Sequence, residues 1–252
     1  MRRLHCLLAA ALMLPVLALA EAGDDPLGSP AWLDLKPSFV GNARVVFDDR
    51  VKVSGPKIAE DSLNVPVGVR IEGLPDIERV LVVADLNPIT KVLEFSPKGA
   101  LPALYFRMKL QQASPIRALA LTKDGIWHAG GIWIDAAGGG CTAPSTGRSN
   151  ANWTATLNTV QAQAWENDQQ SRLKLKIMHP MDTGLAPGIP AFYIEKLSLR
   201  DARGHEWMML KTFEPVSENP VFSFDFVGRT PPGLVLSGHD NNGNLIHAKV
   251  AK

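Results

Sequence analysis

The chain has 252 residues, with 26 Lys and Arg against 25 Asp and Glu for a formal charge of +1, and 46% of its residues are hydrophobic. That balance excludes an acidic tail and a broad basic face of the kind nucleic acid requires. The length is enough for two ordinary domains of roughly 110 residues each.

Arg2 and Arg3 open the chain, Leu7 to Leu19 is almost wholly apolar with Pro15 inside it, and Ala18-Leu19-Ala20 puts small residues where a signal peptidase reads. This pattern predicts a leader over 1–20, cleaved after Ala20, and a mature protein in the periplasm. The apolar run is too short to span a bilayer comfortably and is followed at once by Glu21, Asp24 and Asp25, so no membrane anchor is expected.

The next segments read as strands with few helices. Trp32, Leu35 and Phe39 can line one face of a short helix. Val65, Val67, Val69 and Ile71 alternate with Pro66, Gly68 and Arg70, the period of a half-buried strand. Asp124-Gly125 punctuates two apolar runs, Ala118 to Thr122 and Ile126 to Ile134. The stretch from Gly138 to Asn152 is rich in Gly, Ser, Thr, Asn and Pro and has the composition of a flexible connector. Leu157, Val160, Ala164 and Trp165 fit a second short helix. Leu173, Leu175 and Ile177 then alternate with Arg172, Lys174 and Lys176, and Phe222, Phe224 and Phe226 alternate with Ser223 and Asp225. Arg203-Gly204 and Asn241-Asn242-Gly243-Asn244 mark further turns. The expectation is an all-β protein of two immunoglobulin-like β-sandwiches in tandem, one over 21–141 and one over 171–252, joined by a flexible linker over 142–170.

Chemistry concentrates at one residue. There are two cysteines, Cys6 inside the predicted leader and Cys141 behind Gly138-Gly139-Gly140. An odd thiol in an oxidising compartment is either a small core residue or a reagent. Three glycines before it add no packing contacts and give a narrow arm, which predicts an exposed thiol. Side chains at Gly139 and Gly140 are expected to stiffen that arm and slow reaction with partners. No Lys, Arg or His lies within the first few residues of Cys141, so the sequence does not indicate a lowered thiol pKa. His179, with Met178 and Met181, supplies donor types suited to copper. No nucleophile elbow, zinc motif, phosphate loop or dinucleotide fingerprint occurs, so no enzyme is expected.

Segment 37–141 resembles the SoxY sulfur-carrier domain. The residues that carry the resemblance are Asn64-Val65-Pro66-Val67, Asn87-Pro88, Arg107-Met108-Lys109-Leu110, Ser114-Pro115-Ile116-Arg117-Ala118 and the closing Gly139-Gly140-Cys141. Segment 171–251 resembles the SoxZ partner domain through Ile177-Met178-His179-Pro180-Met181-Asp182-Thr183-Gly184, Ile189-Pro190-Ala191-Phe192-Tyr193-Ile194, Glu218-Asn219-Pro220 and Asp240-Asn241-Asn242-Gly243. The order is similar to that of fused SoxYZ-like carriers associated with quinoprotein dehydrogenases. The resemblance implies that Cys141 carries a covalent sulfur adduct between periplasmic redox enzymes, a quinoprotein dehydrogenase or a cytochrome among them, with the SoxZ-like half as docking scaffold and no other cofactor. Parent carriers place the cysteine near a free C-terminus with glycines on both sides, whereas Thr142-Ala143-Pro144 and a second domain follow here. The alternative function is a metal-handling or adaptor module using His179, Met178 and Met181.

Overall fold

Runs of β-branched and aromatic residues at period two fold as sixteen strands in a computed structural model that describes residues 25–146 and 152–250. The predicted leader over 1–20 and the middle of the predicted linker, 147–151, lie outside the described residues. The first half contributes α1 (Trp32–Val40), β1 (Val45–Phe47), β2 (Val51–Ser54), β3 (Ile58–Ala59), β4 (Val65–Ile71), β5 (Ile77–Ala84), β6 (Lys91–Ser96), β7 (Ala103–Met108), β8 (Ser114–Thr122) and β9 (Trp127–Ala136). The second contributes the single turn α2 (Trp153–Thr156), then β10 (Val160–Glu166), β11 (Gln170–Ile177), β12 (Ile194–Arg200), β13 (Glu206–Thr212), β14 (Val221–Val227), β15 (Val235–Asp240) and β16 (Leu245–Lys249). The protein is all-β, as the alternation predicts.

The two halves do not stand apart. One sheet runs β1-β9-β8-β5-β6-β13-β12-β15-β16, with β3 paired to β9, and the other runs β10-β11-β14-β7-β4-β2. Each therefore crosses from the first half to the second through one antiparallel pair. In the larger sheet Phe95 opposes Leu210, and in the smaller Leu104 opposes Phe224. Side chains from the two layers meet in one apolar core holding Val67, Leu93, Phe106, Leu175, Leu197 and Phe222, and Phe95 of one layer approaches Phe224 of the other with ring centroids 5.8 Å apart. Edge pairing satisfies the backbone groups that separate sandwiches would leave open, which is why the halves fuse through hydrogen bonds rather than merely pack.

Two expectations change in detail and a third holds. The segment 160–166 is the edge strand β10, and not part of a linker or a helix: Val160, Ala162 and Ala164 face the core side while Gln161, Gln163 and Trp165 face outward, and all pair with β11. Val160 and Ala164 fit both periods, so spacing alone did not decide between them. The second half thus begins ahead of residue 171. Of the predicted linker, Thr142 and Ala143 bond back to Gly139, Ser145 and Thr146 bond to Asp182 and Glu218 of the second half, and Trp153–Thr156 form the turn α2. The Trp32 helix does form, with Trp32 and Val40 covering Leu81, Val83 and Leu119 on the outer face of the larger sheet. Its start is fixed by Arg117, whose guanidinium lies 4.2 Å from the Trp32 ring and pairs with the carboxylates of Asp25 and Asp85.

Candidate functional site

Cys141 is fully buried. This corrects the expectation of an exposed thiol on a free arm. After β9 ends at Ala136 the chain turns back along the residues that follow β7, and the glycines are what allow it to lie there. Gly138 and Gly139 adopt φ of 96° and 82°, and a Cβ on Gly140 would fall on the carbonyl oxygens of Ser62 and Leu110. Gly139 N donates to Gln111 O at 3.1 Å, Gly140 N to Leu110 O at 3.0 Å, and Cys141 N to Gln111 Oε1 at 3.1 Å. The thiol points at the Lys109 carbonyl, Sγ to O 3.9 Å. Gly138, Gly139 and Gly140 here serve close docking, not free swing.

The cradle under this arm is built by both halves. Asn87 fixes its floor: Asn87 Nδ2 donates to Lys109 O at 2.9 Å and Asn87 Oδ1 accepts from Gln111 N at 2.9 Å. From the second half, the loop after β11 brings Thr183, whose hydroxyl donates to the Cys141 carbonyl. Lys109 is itself buried and its ammonium donates to the Met181 carbonyl. Beyond the thiol, Ser145 N donates to Asp182 Oδ1 at 3.1 Å and Thr146 N to Glu218 Oε2 at 2.8 Å.

Burial sets the chemistry of the docked state. It pushes the Cys141 thiol up to about 11, against the smaller opposite pull of the Lys109 ammonium. The same burial lowers the Lys109 pKa, while Asp182, the thiol and Glu218 hold it up. A protonated thiol that already faces a carbonyl is a poor nucleophile. Yet Cys141 belongs to neither apolar core cluster, and its immediate partners are backbone groups, a glutamine and a threonine. Gly139 and Thr142 beside it are exposed. A docked arm held by hydrogen bonds exchanged for water on release is a different object from a core cysteine.

Of the copper-donor candidates, the His179 ring and the Met181 sulfur are engaged in other contacts. Met181 N donates to His179 Nδ1 at 3.0 Å, so that nitrogen is the acceptor and Nε2 carries the proton, 3.5 Å from Asp240 Oδ2. The His179 ring packs on Phe192, centroids 4.4 Å apart, and the Met181 sulfur accepts from Ile194 N at 3.3 Å. His179 and Met181 shape the loop that delivers Thr183; Met178 is half-buried, with its backbone N–H and C=O bonded to Thr159 and Asn158. Among the described residues no group of three or more His, Cys, Asp or Glu side chains is arranged to hold a metal.

Residues 36–141 match the family described as sulfur oxidation protein SoxY, and residues 160–251 match the family described as sulphur oxidation protein SoxZ. The two matches stand in tandem, one in each half of the chain. The SoxY match ends on Cys141, and the SoxZ match begins at the first residue of β10. No curated protein matches the chain. Among solved structures, the sulfur carrier protein SoxY from Chlorobium limicola f thiosulfatophilum is similar at 18% identity and a TM-score of 0.35, covering 42% of this chain and 96% of that one. Asn87, Lys109, Gln111 and Thr183 were not singled out by sequence reasoning as parts of the site. All but Gln111 stand in the strings that carry the SoxY and SoxZ resemblance, and Lys109 gives one further signal, a lysine between Met108 and Leu110 at the end of an apolar strand.

Proposed function

We propose that this protein is a periplasmic covalent sulfur carrier, not a catalyst, that holds its cargo on Cys141 and passes it between redox enzymes, a quinoprotein dehydrogenase or a cytochrome among them. The observation that carries the reading is the cradle: the SoxY domain ends on Cys141, and a SoxZ residue, Thr183, holds that same residue's carbonyl. In this state the carrier is stowed. Loading requires the arm to leave the cradle, which breaks the bonds from Gly139, Gly140, Cys141 and Thr183 at a net cost on the order of 1 kcal/mol each. The SoxZ half then has two duties, as scaffold for partners and as keeper of the arm.

Intact mass of the protein purified from its native cells tests the reading. A mass increment on Cys141 that dithiothreitol removes, absent from Cys141→Ser, is the expected result. Repeated recovery of unmodified protein from cells actively oxidising reduced sulfur would sink it. N-terminal sequencing of the same material should begin at or near Glu21.

A further inference from the structure

Near-neutral total charge conceals a local segregation. On the outer face of the six-stranded sheet, β11 presents Arg172, Lys174 and Lys176, β7 presents Arg107, and β4 presents Arg70. Arg172 and Arg70 share the buried Asp225 carboxylate, at 2.7 Å and 3.5 Å. Arg107, Lys174 and Lys176 are exposed and make no ion pair among the described residues. They cluster because Tyr105 opposes Ser223 and Ser223 opposes Lys174 across the junction of the two halves. The carboxylates near this cluster are engaged with other groups: Asp225 with Arg172 and Arg70, Glu72 with Lys52, Glu166 with Thr230 N, and Glu218 and Asp61, which line one groove together with the three cations, with Thr146 and with the turn of Asp61 itself.

The same face has the features of a recognition surface. Arg172 is locked by two hydrogen bonds to Asp225 and lies 4.4 Å from the Tyr105 ring, so little of its freedom remains to be lost on binding. Trp165 beside it is 46% exposed. Rigid Arg, Tyr and Trp side chains are the types that anchor protein interfaces. Two grooves follow the junction. One, of about 530 Å³, runs between Trp165, Arg172, Lys174 and Arg107. The other, of about 540 Å³, continues past Arg107 and Lys176 to Pro144 and Thr146, the chain that leads out of Cys141. A partner lying in both grooves contacts the segment that must move for the thiol to appear.

We propose that this face, centred on Arg107, Lys174 and Lys176, docks an acidic protein surface, that of the redox enzyme which exchanges cargo with Cys141. The inference rests on the carrier reading for the partner's role. Cations without an ion-pair partner, flanked by Tyr105 and the exposed Trp165, attract an acidic patch at long range and fix its orientation at contact, an effect that salt screens.

The probe is a fluorescein-labelled oligoglutamate peptide, followed by anisotropy at low and at physiological salt. Wild-type protein should bind it with an affinity that falls as salt rises. Lys174→Glu/Lys176→Glu should weaken binding at least tenfold. Lys196→Glu/Lys249→Glu, which makes the same change in net charge on exposed residues of the other sheet, should change it less than twofold. Equal loss in both double variants, or no binding by wild type, overturns the proposal. So does retention on phosphatidylglycerol vesicles without peptide binding, which assigns the face to a membrane, or displacement of the peptide by stoichiometric sulfate, which assigns it to a small anion. Cys141→Ser should bind the peptide as wild type does, so a missing adduct refutes the carrier reading and a missing charge effect refutes this one, each without the other.

Discussion

On the carrier reading proposed above, Cys141 and Thr183 together decide when the thiol can react. The pKa of the docked thiol is raised to about 11 from an ordinary value of 9.0, so the docked arm is favoured while the thiol is protonated. The arm's stability is then fully present below about pH 9 and is lost as the pH rises through about 11. Lys109, whose pKa burial lowers, acts in the opposite sense, and Asp182 and Glu218 face it. Comparison with Cys141→Ser isolates the thiol: the stability of wild type minus that of Cys141→Ser should decline between pH 9 and 11. A flat difference in pH-dependent melting would contradict this account. Thr183→Val removes the hydroxyl that holds the Cys141 carbonyl while keeping the side-chain volume. It should ease undocking by about 1–2 kcal/mol and speed labelling of the native thiol by roughly 5- to 30-fold, with the global fold intact.

At the scale of elements, the Gly138-Gly139-Gly140 segment behaves oppositely to the sequence-based expectation. A side chain at Gly140 meets the backbone oxygens of Ser62 and Leu110, so its first effect is on docking rather than on the reach of a free arm. Gly140→Val should leave the arm unable to close and make Cys141 react with both small and bulky disulfide reagents faster than wild type, where slowing was expected. A native Gly140→Val protein with a thiol as protected as wild type would refute the cradle. The strands were legible because Val65 to Ile71, Arg172 to Ile177 and Phe222 to Phe226 carry an unambiguous two-residue period. The strand β10 was not, because Val160 and Ala164 stand four apart and small alanines give neither period much contrast. The docked arm was invisible for a different reason. Glycine composition reports which conformations a chain can adopt, and the oxygens that select one of them belong to Ser62, Leu110 and Gln111, far away in sequence.

For the molecule as a whole, the junctions β6–β13 and β7–β14 couple the halves through hydrogen bonds and a shared core. Unfolding in urea should therefore be one cooperative transition, with tryptophan fluorescence and far-ultraviolet circular dichroism coinciding. Phe224→Ala, which empties a core position at the junction, should lower stability by about 3–5 kcal/mol for both halves together. Two separated transitions would show that the shared sheets do not bind the halves into one unit.

That both halves belong to one polypeptide also fixes stoichiometry. A thiol on one polypeptide and a keeper on another would have to meet by diffusion, and their association would weaken as either was diluted. Here Thr183 and Cys141 belong to one folded body, so every thiol comes with its own keeper at an effective concentration set by the fold, whatever the abundance of the protein. Shielding of the idle thiol is then the same in a scarce protein as in an abundant one.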